Sequence, residues 1–261
     1  MTLTAEQVAR YCRTMLLPEV GEAGQNRLMG AKALVVGAGG LGSAAAFYLA
    51  AAGVGRLGIA DGDRVELSNL QRQILHRTAD LGRAKAESAA RTLRELNPEI
   101  EVIPYSVVVD ETNAAGLVAG YDVVVGAVDN LRARYLINEA CVQAGIPLVE
   151  GAVSGTSGFV TTFPAGGRPC YRCLFPTQPP SREAGESPGP GVLGPTAGTI
   201  GVLQATEALK VLLGRGVALV GRLLHVDLWT NEFRLIDLVP APECPVCGTA
   251  REGPIGLPGA G

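Results

Sequence analysis

Hydrophobic positions fall in two patterns along the chain: short unbroken runs, and longer stretches where apolar residues recur at helical spacing. The first run, 33–36, predicts a buried strand. A turn holding Gly37, Gly39, Gly40 and Gly42 follows, then a helix of small residues over 43–52 and a second strand closed by Asp61. Beyond an irregular stretch, 61–81, the pattern predicts a helix over 82–97 with Pro98 as its stop, a strand at 101–105, a helix near 113–119 and a strongly apolar strand at 122–127. A helix over 130–144, ended by Gly145, and a strand from 147 to 151 continue the alternation. Strands and helices taking turns in this way predict an α/β fold with a doubly wound, mostly parallel sheet. The pattern then changes. Stretches 156–163, 223–228 and 233–238 alternate apolar with polar residues and predict antiparallel strands added on the C-terminal side. Residues 196–213 are apolar all round and predict a buried helix, while 4–17 predict a short one carrying Arg10, Tyr11 and Arg13.

Composition narrows the class. Of 261 residues 47% are hydrophobic, enough for a sizeable core, and we expect a single domain over 1–248. A stretch dense in Pro, Gly, Ser and Glu at about 176–195 predicts a mobile crossover loop, and 249–261 a frayed tail. The net charge of -3, without a run of Lys or Arg, argues against nucleic acid or an anionic membrane as partner. The start is polar and the longest apolar runs fall well short of the roughly 18 residues of a membrane span, so a cytoplasmic location is expected.

The glycine turn is the first candidate for chemistry. Glycines allow positive φ and close approach of a phosphate, and the N–H groups opening the next helix form an anion site. Asp61, about 20 residues past the turn, stands where an acid accepts from ribose hydroxyls, so 30–155 is read as a Rossmann-like nucleotide-binding half. The 61–81 connection is long for a βα loop and carries Asp63, Asn69, Gln71, Arg72, Gln73 and His76. Lys85 falls in a first helical turn, where the helix dipole disfavours a cation unless an anion is held there. Asp129, after a strand and before a helix, reads as a helix N-cap and also as a carboxylate for Mg²⁺ on a triphosphate, and the two roles are compatible. Four of six cysteines form two C-x-x-C pairs, Cys170 with Cys173 and Cys244 with Cys247, and supply four thiolates for a closed structural zinc site. A redox dithiol is the competing reading, disfavoured because neither pair is expected to open a helix after a strand. An NAD-dependent oxidoreductase would use the same turn and Asp61, with His76 and His225 as its imidazoles. A non-catalytic nucleotide-binding scaffold is the third possibility.

Gly37-Ala38-Gly39-Gly40-Leu41-Gly42, Asp61-Gly62-Asp63, Ser68-Asn69-Leu70-Gln71-Arg72-Gln73, Lys85 and Asp129-Asn130 together resemble the MoeB/ThiF adenylyltransferases, relatives of the ubiquitin-activating enzymes. The resemblance runs from about Arg10 to Gly248. It implies an enzyme that uses ATP and Mg²⁺ to adenylate the terminal glycine of a small ubiquitin-like sulfur carrier ending in Gly-Gly, with release of pyrophosphate. By that resemblance Arg72 and Lys85 act on the phosphates, Asn69 lies in the phosphate region, Asp129 binds Mg²⁺ and Asp61 the ribose; Asp63 and Asn130 fall within its nucleotide-binding motifs. Arg10-Tyr11-Cys12-Arg13 is similar to the family's amino-terminal motif, whose second arginine, here Arg13, reaches the γ-phosphate of a neighbouring subunit, so a homodimer is implied. Molybdopterin synthesis, thiamin thiazole synthesis and tRNA thiolation are the pathways the resemblance offers, in that order. No rhodanese-like extension follows the second cysteine pair, so a separate sulfur donor is expected. The loop cysteine of many members falls here at Ser187, and no cysteine lies between Cys173 and Cys244. A serine hydroxyl cannot pass a carrier through an acyl-disulfide, so the reaction is expected to stop at the acyl-adenylate.

Overall fold

The computed structural model describes residues 3–177 and 191–248. Helix α1 (Ala5–Met15) starts at Thr4, whose hydroxyl accepts from the Gln7 N–H while the Gln7 side chain accepts from the Thr4 N–H, a reciprocal cap. Helix α2 (Gly21–Gly30) was not predicted. Its three glycines break the apolar period, and Gly24 sits so close to Leu213 and Val20 that a Cβ there would lie 3.1 Å from each.

Strand β1 (Lys32–Val36), helix α3 (Gly40–Ala51) and strand β2 (Arg56–Ala60) form the expected first unit. Helix α4 (Lys85–Leu96) starts three residues later than expected because 61–81 folds into two single 3₁₀ turns, Leu67–Asn69 and Thr78–Asp80. Then come β3 (Glu101–Tyr105), α5 (Ala114–Val118), β4 (Val123–Gly126), α6 (Leu131–Ala144), β5 (Leu148–Ser154) and β6 (Ser157–Phe163). A single helical turn, α7 (Tyr171–Leu174), precedes α8 (Gly194–Leu213), β7 (Arg222–Asp227) and β8 (Glu232–Asp237). Helix α8 starts two residues earlier than expected, since Pro195 has the fixed φ of a first helical turn and needs no N–H there.

These strands make one sheet in the order β3-β2-β1-β4-β5-β6-β7-β8. The first five in that row are parallel and the last three join antiparallel, the mixed sheet that the change of pattern implied. Alternate residues of β1 face opposite ways. Ala33 and Val35 pack with Leu49, Leu93 and Ala208 under α3, α4 and α8, whereas Leu34 and Val36 pack with Leu117, Ile137 and Leu148 under α5 and α6. Burying each large side chain here contributes about 1.5–3 kcal/mol. Small residues bring α3 and α8 together: a Cβ on Gly201 would lie 2.2 Å from the Leu41 carbonyl oxygen. That crossing sets the glycine turn at the carboxyl ends of β1 and β4, where the sheet opens.

Candidate active site

A cavity of about 1070 Å³ opens at those strand ends. Its floor is the glycine turn. Gly37 has φ 100°, a conformation that penalises any side chain, and a Cβ on it would also strike the Ala127 carbonyl at 2.5 Å. Gly37, Gly39 and Gly40 line the cavity; Gly42 does not. The place of Gly42 is steric, since a Cβ on it would sit 1.8 Å from the Gly37 oxygen, so glycine there lets α3 close onto the turn.

Asp61 reaches the cavity from the end of β2, but its carboxylate already holds the turn. One oxygen accepts from the Ala38 N–H at 2.7 Å and the other from the Asp63 N–H at 2.8 Å. Burial pushes its pKa up, while those N–H groups and the Lys85 ammonium pull the other way. Lys85 is buried at the start of α4 and lines the cavity, with Nζ 2.8 Å from the exposed Asp63 carboxylate. Lys85 is thus not a solvated surface lysine. Arg72 also lines the cavity, one Nη donating to the Ser68 carbonyl at 3.1 Å and the rest of its fork uncommitted among the described residues.

Asn69 does not line the cavity, because its side-chain oxygen turns back to accept from the Glu66 N–H at 3.1 Å and closes the 3₁₀ turn. Asp129 does not cap α6. Asn130 does, accepting from Arg132 at 2.9 Å and Ala133 at 3.4 Å, which leaves the exposed Asp129 carboxylate at the cavity rim with no hydrogen bond among the described residues. Asn130 touches the cavity as well. Arg13 is exposed on α1, at the opposite end of the sheet, where the neighbouring Tyr11 hydroxyl accepts from Asn97 after α4. It does not reach the cavity of its own chain.

Other residues enter the site that sequence reasoning gave no role. Gln73 is buried against the cavity with Oε1 unpartnered among the described residues, an acceptor waiting for a donor. Arg134 on α6 donates to the Val128 and Gly151 carbonyls and to the fully buried Glu150 carboxylate on β5. Burial pushes the Glu150 carboxyl up to about 7 against the pull of that guanidinium. The signal was Glu150, the one charge in the apolar strand β5; Arg134 shares α6 with Arg132 and Glu139 and did not stand out. Beyond them the cavity extends into an apolar arm between Val153, Phe159, Phe175 and Val192.

The four paired cysteines converge: Cys170 and Cys244 sulfurs lie 3.7 Å apart, Cys173 and Cys247 3.4 Å, and all four lie within 4.8 Å of one another. Tetrahedral zinc with bonds of about 2.3 Å separates its sulfurs by about 3.8 Å, so this donor set fits zinc. Cys170 does open a short helical turn, contrary to expectation, yet the meeting of two pairs from distant chain segments argues for metal rather than an isolated dithiol. Ser187 lies outside the described residues, as do most of the expected crossover loop and the tail. Among the described residues, no helix is long and apolar enough to cross a membrane.

Fold and site together define a Rossmann-type α/β protein with a cavity lined by a glycine turn, Arg72 and Lys85, and with a four-cysteine cluster. The ThiF family model matches residues 11–246, and the chain belongs to that family. It is 50% identical over 248 residues to the SAMP-activating enzyme E1 of Haloferax volcanii, covering 95% of this chain and 92% of that relative. It is 48% identical to the adenylyltransferase and sulfurtransferase MOCS3-1 of Zea mays, covering 95% of this chain and 53% of the relative, so the chain spans about half the length of the latter. Among solved structures, Escherichia coli MccB with MccA-N7isoASN superimposes with a TM-score of 0.81 at 22% identity, over 95% of this chain and 76% of that one. PaaA superimposes with a TM-score of 0.78 at 25% identity, over 92% and 76%.

Proposed function

We propose that this chain adenylates the C-terminal glycine of a small ubiquitin-like sulfur carrier ending in Gly-Gly, consuming ATP and releasing pyrophosphate. One observation carries the reading: a single cavity joins the glycine turn, Asp61, Arg72, Lys85 and Asp129 to an apolar arm lined by Phe159 and Phe175. One side suits a nucleotide and the other an extended tail. The relatives point the same way, since one is named for activating SAMP and another as an adenylyltransferase and sulfurtransferase.

The carrier's terminal carboxylate attacks the α-phosphorus, an acyl–phosphate bond forms and the bond to pyrophosphate breaks. The nucleophile is already ionised, so no protein base is required. What the chain supplies is charge: Arg72 and Lys85 oppose the phosphates, and the turn's N–H groups hold the α-phosphate region. Asp61 meets the ribose. Asp129, an uncommitted carboxylate at the rim, would hold Mg²⁺, which when bound neutralises phosphate charge. Arg13 serves the neighbouring subunit of a homodimer, and a separate sulfur donor acts afterwards in the cytoplasm. Residues 1–248 form the catalytic domain in this reading.

An oxidoreductase explains less, because His76 has both ring nitrogens engaged inside the fold and His225 lies on β7, away from the cavity. Exchange of labelled pyrophosphate into ATP tests the proposal. Exchange should require a Gly-Gly-ended carrier and vanish in Arg72→Ala and Asp129→Ala proteins that melt like the parent. Absence of exchange with molybdopterin, thiamin and tRNA-thiolation carriers alike would overturn it.

A further inference from the structure

His76 is the buried imidazole that the proposed reaction leaves without a task. It sits in the 61–81 connection, four residues after Arg72, and is 5% exposed. Its Nε2 lies 3.0 Å from the Ala38 carbonyl oxygen in the glycine turn, and its Nδ1 3.0 Å from the Ser88 hydroxyl on α4. A carbonyl only accepts, so Nε2 carries the proton; burial disfavours the charged ring, so Nδ1 accepts from Ser88. The segment around it is sewn down on both sides. The Leu75 N–H donates to Ser43 on α3 at 3.4 Å, and the Leu75 carbonyl accepts from Thr92 on α4 at 2.9 Å.

Ala38 is therefore gripped at both of its polar atoms, its N–H by Asp61 and its C=O by His76. In a trans peptide the C=O and the next N–H point in opposite directions. Holding the Ala38 oxygen down toward the buried imidazole turns the Gly39 N–H up, toward the side where Gly39 lines the cavity. That N–H makes no hydrogen bond to a described backbone group. A neighbouring glycine gives the peptide no steric reason to keep this orientation, since Gly39 populates both peptide settings readily.

We propose that His76 is a positioning residue, which fixes the Ala38–Gly39 peptide so that the Gly39 N–H faces the nucleotide phosphates. The inference rests on the nucleotide reading of the cavity. It makes the turn, Arg72 and Lys85 one unit: His76 links the turn to α4 through Ser88, one helical turn beyond Lys85.

Calorimetric titration with ATP, run beside thermal melts, tests it on the full chain. His76→Leu keeps the volume and removes the donor; His76→Gln places an amide N–H where Nε2 was. Losing one oriented donor should weaken ATP binding by about tenfold in His76→Leu. His76→Gln should return to within about threefold of the parent, whatever its melting temperature. If His76→Leu does not fold, His76→Gln against the shorter His76→Asn carries the same comparison. Equal ATP affinity in parent and His76→Leu, or an equal loss in His76→Gln, overturns the proposal while leaving the nucleotide site standing. A parent protein that fails to bind ATP overturns both.

Discussion

Replacing Arg134 with Met removes the partner of a carboxylate that has no access to water, and the cost should depend on pH in a way that identifies the cause. Burial raises the Glu150 carboxyl from the ordinary 4.5 to about 7 even with the guanidinium beside it. The folded state thus binds a proton between those values that the unfolded state has lost. Stability linked to this group is complete below pH 4.5 and declines as pH rises toward 7, by about 3 kcal/mol at 1.36 kcal/mol per unit. In Arg134→Met the pull of the cation is gone and the folded-state pKa climbs further, so the decline continues above pH 7. At pH 6, where Glu150 is largely protonated in both proteins, the variant should lose chiefly the hydrogen bonds to Val128 and Gly151, about 2 kcal/mol. At pH 9 the difference should grow toward the roughly 3–5 kcal/mol of a broken buried pair, about 10 °C in melting temperature for a chain of this size. The double variant Arg134→Met with Glu150→Gln removes the charge and should recover stability at pH 9 but not at pH 6. Urea denaturation at the two pH values measures this. A destabilisation that is the same at both, or a double variant no better than the single one at pH 9, would refute the argument.

Asn130→Ala should cost about 1 kcal/mol through loss of the α6 cap, whereas Asp129→Ala should leave the melting temperature unchanged and abolish pyrophosphate exchange; equal melting of both variants contradicts the assignment of the cap. Cys247→Ser should release zinc, seen by elemental analysis, and lower thermal stability, because metal binding is part of the folding free energy; a purified parent without metal refutes this. Cys141 is buried with its thiol pushed up to about 12, so alkylation of the folded protein at neutral pH should mark the exposed Cys12 and spare Cys141. With ATP and carrier, non-reducing intact mass should show no thiol-sensitive adduct of enzyme and carrier, and such an adduct would show that a thiol does take over from the position of Ser187. His76 adds a second pH signature: burial lowers its pKa, so stability is complete above the ordinary value of 6.5 and falls as pH drops below it. His76→Gln should flatten that acid limb of the pH–stability curve.

The fold was legible because its elements announce themselves locally. Strands buried on both faces read as unbroken apolar runs, and the shift to alternation at 156–163 marks the point where parallel pairing gives way to antiparallel. Helix α2 was not legible, since Gly21, Gly24 and Gly30 interrupt the apolar period; Gly24 is there for close packing against Leu213 and Val20, and Gly21 has φ 57°. For the site, residue types singled out Arg72, Lys85 and Asp129, which line the cavity, but they could not say where a side chain turns. Asn69 has a length suited to its own loop and turns inward, and of the adjacent Asp129 and Asn130 either could have capped α6. Arg134 with Glu150 and His76 with Ala38 are pairings across 16 and 38 residues, which no local pattern contains.

The crossing of α3 on α8 has a consequence for how the protein is made. The turn occupies residues 37–42, yet Gly40 is capped by Ala197, close enough that an added Cβ would fall 2.8 Å from it. Translation proceeds from the N-terminus and domains fold as their segments emerge. A nascent chain that has delivered all five parallel strands still lacks the wall that α8 provides, and the cysteine cluster waits longer, for Cys247. A chain that has not yet delivered α8 thus leaves the cavity open along the flank of Gly40, and a ligand that needs that wall can be held only after the two segments have met.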